Sequence, residues 1–156
     1  MTKYSHGISD WLHNQNVEAE FLSFEQSVHS VEEAVSVSGY PVESITKSIV
    51  MLTMEGDLVI AMVPAINRVS TERVRKLLEL DERPRVATAQ EVEQHIGQQI
   101  GGNSPFNAAN AKILIDPKLL EKDWILTGGG DARHLVKIST RELKRVIVYT
   151  EARVRK

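Results

Sequence analysis

Two adjacent apolar runs constrain this chain more than any other feature. Ile45 to Met54 and Leu58 to Val63 are rich in β-branched and apolar residues, and Glu55-Gly56-Asp57 between them reads as a turn. The pair is therefore expected to form a hairpin. Further strand-like segments are Glu20-Phe21-Leu22-Ser23-Phe24, Lys112 to Asp116, Trp124 to Thr127, His134 to Ile138 and a last one near Val146 to Thr150. Helices stand between several of them. Ile8, Trp11 and Leu12 suggest a short N-terminal helix over roughly residues 5–15. Three capping boxes, Ser30/Glu33, Thr88/Glu91 and Ser139/Glu142, each open another, with Gly39 and Gly97 as the stops of the first two. A fourth starts at Ser70 or Thr71, with Val74, Leu77 and Leu78 on one face. Strands that come partly in hairpins and partly separated by helices predict a mixed sheet in an α/β (mixed α+β) domain.

The 156 residues carry 42% hydrophobic and 26% charged side chains, which fits one globular domain over 1–156, with 1–19 as an N-terminal helical extension. There is no repeat, no low-complexity stretch and no linker. The absence of cysteine removes disulfides and thiolate chemistry, and no apolar run approaches the roughly 20 residues that span a bilayer. The N-terminus lacks the apolar core of a secretion signal, so a cytoplasmic, membrane-free protein is expected. Charge is unevenly spread. Residues 139–156 hold six basic and two acidic residues, a net of +4, so the other 138 carry −6 of the total −2. A basic tail attracts polyanions, although a solvated helix face with a frayed end has the same composition.

The candidates for chemistry are few. Ile100-Gly101-Gly102-Asn103-Ser104-Pro105-Phe106-Asn107 exposes main-chain N–H groups at two adjacent glycines, and Pro105 fixes the exit direction. Such a loop can hold a carbonyl or phosphate oxygen, and it can equally be a plain turn. Lys47 interrupts a strand-like run, where lysine is depleted, so it either snorkels to solvent or aims an ammonium into a cleft. The five histidines, His6, His13, His29, His95 and His134, show no metal-ligand spacing, so no metal or cofactor is expected. His134 follows the triple glycine Gly128-Gly129-Gly130 at a strand start. Neither nucleotide-binding glycine motif nor a serine-hydrolase elbow is present.

Taken together, these pieces resemble the YbaK/ProX family of aminoacyl-tRNA editing domains over roughly residues 20–148, a resemblance that implies a curved mixed sheet flanked by helices. Val28-His29-Ser30-Val31-Glu32-Glu33-Ala34 is similar to the family's H-x-T-x-E-E-A helix start, with Ser30 in place of threonine. Thr46-Lys47-Ser48-Ile49-Val50 resembles its K-T-L-V strand. Gly101 and Pro105 fall on the fixed positions of its G-x-x-x-P loop, and Gly128 to His134 resembles its last signature. Ala65 departs from the pattern, since glycine is frequent there.

The resemblance implies a deacylase that hydrolyses the ester joining a wrong amino acid, alanine or cysteine, to proline tRNA, acting with or beside prolyl-tRNA synthetase. Ester hydrolysis passes through an oxyanion that backbone N–H groups stabilise. Gly101 would supply such a donor, Lys47 would hold the substrate's phosphate or carbonyl end, and His134 would line the amino-acid pocket or place the water. His29, Gly102, Asn103, Ser104, Pro105, Phe106, Gly128 and Gly129 would complete the substrate site. No side chain stands out as a general base, so the ribose hydroxyl or the amino acid itself would assist. The basic tail is a further expected contact for tRNA. The alternative is a non-catalytic tRNA-binding or regulatory module of the same fold, and a third reading is an esterase for small activated amino-acid esters.

Overall fold

The computed structural model describes residues 1–108 and 110–156. In chain order they form α1 (Lys3–Asn14), β1 (Ala19–Ser23), α2 (Val31–Ser38), a 3-10 turn (Val42–Ser44), β2 (Thr46–Leu52), β3 (Leu58–Pro64) and α3 (Thr71–Leu77). There follow β4 (Arg85–Val86), α4 (Ala89–Ile96), β5 (Lys112–Ile115), α5 (Pro117–Leu120), β6 (Trp124–Gly128), β7 (His134–Ser139), α6 (Thr140–Val146) and β8 (Thr150–Glu151). The mixed α/β class expected from the sequence is observed, with the strands divided between two sheets. One is antiparallel, in the order β1-β7-β6; the other is mixed, in the order β4-β2-β3-β5-β8, with β5 parallel to both its neighbours. A parallel bridge from Ile45 to Leu126 joins them. Among the described residues no helix is long and apolar enough to cross a membrane.

The β2–β3 hairpin lies at the centre, and its composition follows from burial on two sides. Val50, Ile60 and Met62 face a core shared with Ile125, Val136 and Ile138 of the other sheet. Met51, Val59, Ala61 and Val63 face a second cluster under Val74 of α3 and Val154. A strand covered on both faces reads as a continuous apolar run, as β3 does. A third cluster, Val28, Ala34, Ile45, Ala65, Leu126 and Leu135, fills the space beneath α2.

Local signals set most helix ends. The Ser30/Glu33 and Thr88/Glu91 boxes are both closed, and Gly39 and Gly97 adopt the left-handed conformation at their C-caps. The third expected box is only half formed. Ser139 caps the Glu142 N–H, but the Glu142 carboxylate is taken by the Glu18 N–H at 2.7 Å and by Arg145. In α3, Val74 is buried, whereas Leu77 is exposed and does not share its face. The last strand is shorter and later than expected, because α6 runs on to Val146.

The C-terminus is docked rather than frayed. Asp116, fully buried, accepts the Val154 and Arg155 N–H groups at 3.0 and 3.1 Å and the Arg155 guanidinium at 2.5 Å. Arg155 is thereby committed to the fold. Burial pushes the Asp116 carboxyl up, but donors from Lys118, Arg155 and Val154 outweigh it and hold the group below the ordinary carboxylate range. Its contribution to stability is therefore present above about pH 4 and is lost as pH falls through the lower folded value. Asp116→Ala should remove about 3 kcal/mol of unfolding free energy, because it strands the Arg155 guanidinium and three N–H groups, those of Lys118, Val154 and Arg155. Urea denaturation at pH 7 measures this, and the difference from wild type should shrink in acid.

Candidate active site

A cavity of about 360 Å³ opens where the two sheets meet. Its wall is β2 from Thr46 to Val50, the start of α2, the end of β6 and the loop at Gly101. β4 pairs with β2 only at Met51 and Leu52, which leaves the first half of that strand edge uncovered by β4. The lining is mainly apolar, with Val31, Ala34, Ile45, Leu126 and Leu135, yet four buried side-chain atoms in it have no partner among the described residues. They are Thr46 Oγ1, Ser48 Oγ, Asn103 Oδ1 and Thr127 Oγ1. A buried polar atom left unpaired costs about 1–3 kcal/mol, so the four lining residues carry a cost that a donor reaching them would relieve.

Lys47 joins this lining, half-buried. Strand alternation sends it to the opposite face of β2 from Thr46 and Ser48. Loss of water and then the Arg68 charge push its ammonium below the ordinary lysine value. No carboxylate pairs with it among the described residues. A partly desolvated cation beside a second cation is an anion-seeking arrangement.

Two glycine loops interlock at the cavity floor. A Cβ on Gly128 would fall closer than 3.0 Å to the backbone of Gly102 and Asn103, and one on Gly102 would lie 2.7 Å from the Asp131 backbone. Gly130 donates to the Gly102 carbonyl at 2.8 Å, and Gln99 donates to the Gly130 carbonyl at 2.8 Å. Gly101 has φ of +88°, and the His29 ring covers the place where its Cβ would be. The Gly102 N–H is used by the Gln99 carbonyl and the Ser104 N–H by Gln98 Oε1. The Gly101 and Asn103 N–H groups have no acceptor among the described residues, which leaves them among the open donors of the loop.

A profile of the aminoacyl-tRNA editing domain family matches residues 25–146, most of the chain. The chain belongs to that family. It is 27% identical over 126 residues to a proline–tRNA ligase from Solidesulfovibrio magneticus, covering 80% of this chain and 22% of the ligase, so it spans about a fifth of that relative. It is also 27% identical to the uncharacterized protein YwhH of Bacillus subtilis, over 82% of this chain and 81% of that protein. Among solved structures, a candidate trans-editing enzyme for prolyl tRNA synthetase superposes with a TM-score of 0.85 at 22% identity, over 100% of this chain and 99% of the other. That last likeness is one of fold.

In this editing domain the expected site residues other than His134 fall into three groups. Lys47, His29, Gly101, Asn103 and Gly128 line the cavity. Gly102 and Gly129 sit behind it, the latter packed on the His134 backbone. Ser104, Pro105 and Phe106 turn inward: Phe106 is fully buried and meets Trp11 at 5.6 Å between ring centroids. The structure does not bring His134 to the cavity. Its ring stacks on Phe21 at 5.2 Å, and its Nδ1 meets Asp131 Oδ1 at 2.6 Å.

Sequence reasoning missed Thr46, Ser48 and Thr127, whose signal was a polar residue inside an apolar strand. It also missed Gln98, fully buried, whose side-chain amide holds the Ser104 N–H and the Phe106 carbonyl and so shapes the loop from beneath.

Proposed function

We propose that this editing domain is an aminoacyl-tRNA deacylase that removes alanine or cysteine from mischarged proline tRNA in the cytoplasm. The observation that carries this reading is the set of four unpaired buried polar atoms in a small cavity beside an uncompensated lysine. An aminoacyl ester supplies what that lining lacks. Its ammonium and ribose hydroxyls are donors for the Thr46, Ser48, Asn103 and Thr127 oxygens, and its phosphate is an anion for Lys47. Val31, Ala34, Ile45, Leu126 and Leu135 offer an apolar recess for a small side chain. A recess discriminates poorly by one methylene, worth about 1–3 kcal/mol, so a second sieve after the synthetase is useful.

In the reaction, water adds to the ester carbonyl carbon, and the oxygen that becomes negative is taken by the Gly101 and Asn103 N–H groups. The bond to the ribose oxygen then breaks, and the water's proton passes to that leaving oxygen. The lining holds no aspartate or glutamate and its histidine, His29, lies over Gly101, so we assign the relay of this proton to the neighbouring ribose hydroxyl. His134, held away from the cavity, acts on the loop and not on the substrate. The partner is proline tRNA, and prolyl-tRNA synthetase is the enzyme whose errors it corrects.

A panel of alanyl-, cysteinyl-, prolyl- and seryl-tRNA tests the reading. Hydrolysis of the alanyl or cysteinyl ester of proline tRNA, sparing prolyl, is expected. Binding without hydrolysis of any of them would favour a non-catalytic module, and cleavage of free amino-acid esters at equal rate would favour a small-molecule esterase. Deacylation of a tRNA that lacks the neighbouring hydroxyl should be strongly slowed; an undiminished rate would exclude the relay.

A further inference from the structure

The N-terminal helix contacts the glycine loops with polar groups that its burial does not require. Ile8 and Leu12 already give α1 an apolar face against the core. In addition, Asp131, only 4% exposed, accepts Thr2 Oγ1 at 2.5 Å, the Arg133 N–H at 3.0 Å and His134 Nδ1 at 2.6 Å. Thr2 is also the N-cap of α1, in a capping box with Ser5. The Tyr4 carbonyl presses on Gly130 so closely that no Cβ fits there. Burying a carboxylate is costly unless its donors are fixed, so the cluster acts as a registration point between α1 and the loop.

We propose that Thr2 and Asp131 form a clasp that sets the position of the Gly101 loop, making Asp131 a positioning residue and α1 a working part of the site. What the loop does in catalysis rests on the deacylase reading. The route is short. Asp131 is joined through the backbone to Gly130, which is hydrogen-bonded to Gly102 and to Gln99, and Gly102 packs on Asp131 itself. Gly101, an open donor, is the next residue. As an acceptor-only group Asp131 also obliges His134 to present Nδ1–H, which fixes the ring against Phe21. Donors from Thr2, His134, Arg133 and Ser5 outweigh burial and keep the Asp131 carboxyl ionised well below its usual range. The helix lies outside residues 25–146, the part matched to the family, whereas Asp131 lies within it, so the clasp ties the segment before the matched region to a loop inside it.

The test uses Thr2→Val, which keeps shape and removes the hydroxyl, with Thr2→Ser as the rescue. Asp131→Asn is a second variant that leaves the α1 cap intact. Two readouts are taken on the full chain well below its melting temperature: hydrogen exchange at the Gly102 and Gly130 amides, and single-turnover deacylation with tRNA affinity measured separately. In Thr2→Val and Asp131→Asn, exchange should quicken about tenfold. The single-turnover rate should fall about ten- to a hundredfold with affinity unchanged. Thr2→Ser should restore both. Exchange at wild-type speed in both variants overturns the clasp, and quickened exchange with a wild-type rate overturns its role in positioning. A wild type that hydrolyses none of the aminoacyl-tRNAs would instead defeat the deacylase reading, while the exchange measurement still decides the clasp.

Discussion

Replacing Lys47 with methionine should cut single-turnover deacylation about 10²- to 10³-fold, the scale on which one charge-stabilising donor acts in a dry site. The same variant should melt at the wild-type temperature or above it. The two halves belong together. Lys47 has no carboxylate partner among the described residues, and both desolvation and Arg68 disfavour its charge, so the folded state gains nothing from the ammonium at neutral pH. Because the folded value is lowered, this penalty is present below it and fades as pH rises toward the ordinary lysine value near 10. A stable variant without activity would mark Lys47 as a group retained for the substrate. A variant as active as wild type would remove it from the mechanism, and one that unfolds would show that the fold itself uses the ammonium, since methionine keeps most of the stem.

Gly128→Ala should be the most damaging single methyl in the molecule. Its Cβ would collide with the carbonyls of Gly102 and Asn103, backbone atoms already held by the bonds at Gly130, Gln99 and Gln98. Forced overpacking of this kind costs about 1–3 kcal/mol, and the loop would leave β6. Deacylation should fall at least about a hundredfold even where the protein stays folded, since a displacement of 1 Å at a donor is enough. Gly101→Ala supplies the contrast. There the obstacle is the His29 ring, the end of an exposed side chain that can swing away, plus a left-handed φ costing about 1–2 kcal/mol. Adding His29→Ala should recover part of the Gly101→Ala loss and none of the Gly128→Ala loss. Equal recovery in both would mean that the loops do not interlock as described. Denaturation curves and single-turnover rates on the four proteins make the comparison.

What could be read in the sequence was local. Ser30 with Glu33, and Thr88 with Glu91, are three residues apart, and Gly39 and Gly97 follow directly on the helices they stop. The hairpin announced itself through a turn between two apolar runs. Lys47 and the glycine pair stood out because each contradicts its surroundings. What could not be read depends on partners far along the chain. Glu142 has the spacing of a capping box, but a backbone N–H at Glu18 claims it. Arg155 looks like one more basic tail residue until Asp116 takes it. His134 sits in a glycine-rich signature, yet its direction is set by Asp131 and Phe21, and the first of these is itself held by Thr2. Leu77 satisfies the helical period and still faces water, because α3 covers the sheet with a stripe only as wide as Val74 and Leu78.

The pairing of β1 with β7 joins residues 19–23 to residues 134–138, and Thr2 reaches Asp131 across 129 positions. A ribosome adding about 5–20 residues each second makes the first of these segments many seconds before the second. In that interval the β1 edge that β7 will cover stays unpaired, an open template for mispairing. The cavity itself needs β6 and its glycines, so a chain stalled before residue 128 owns Lys47 and the Gly101 loop without a site to put them in. Competence at this centre therefore arrives only when translation of the domain is nearly finished.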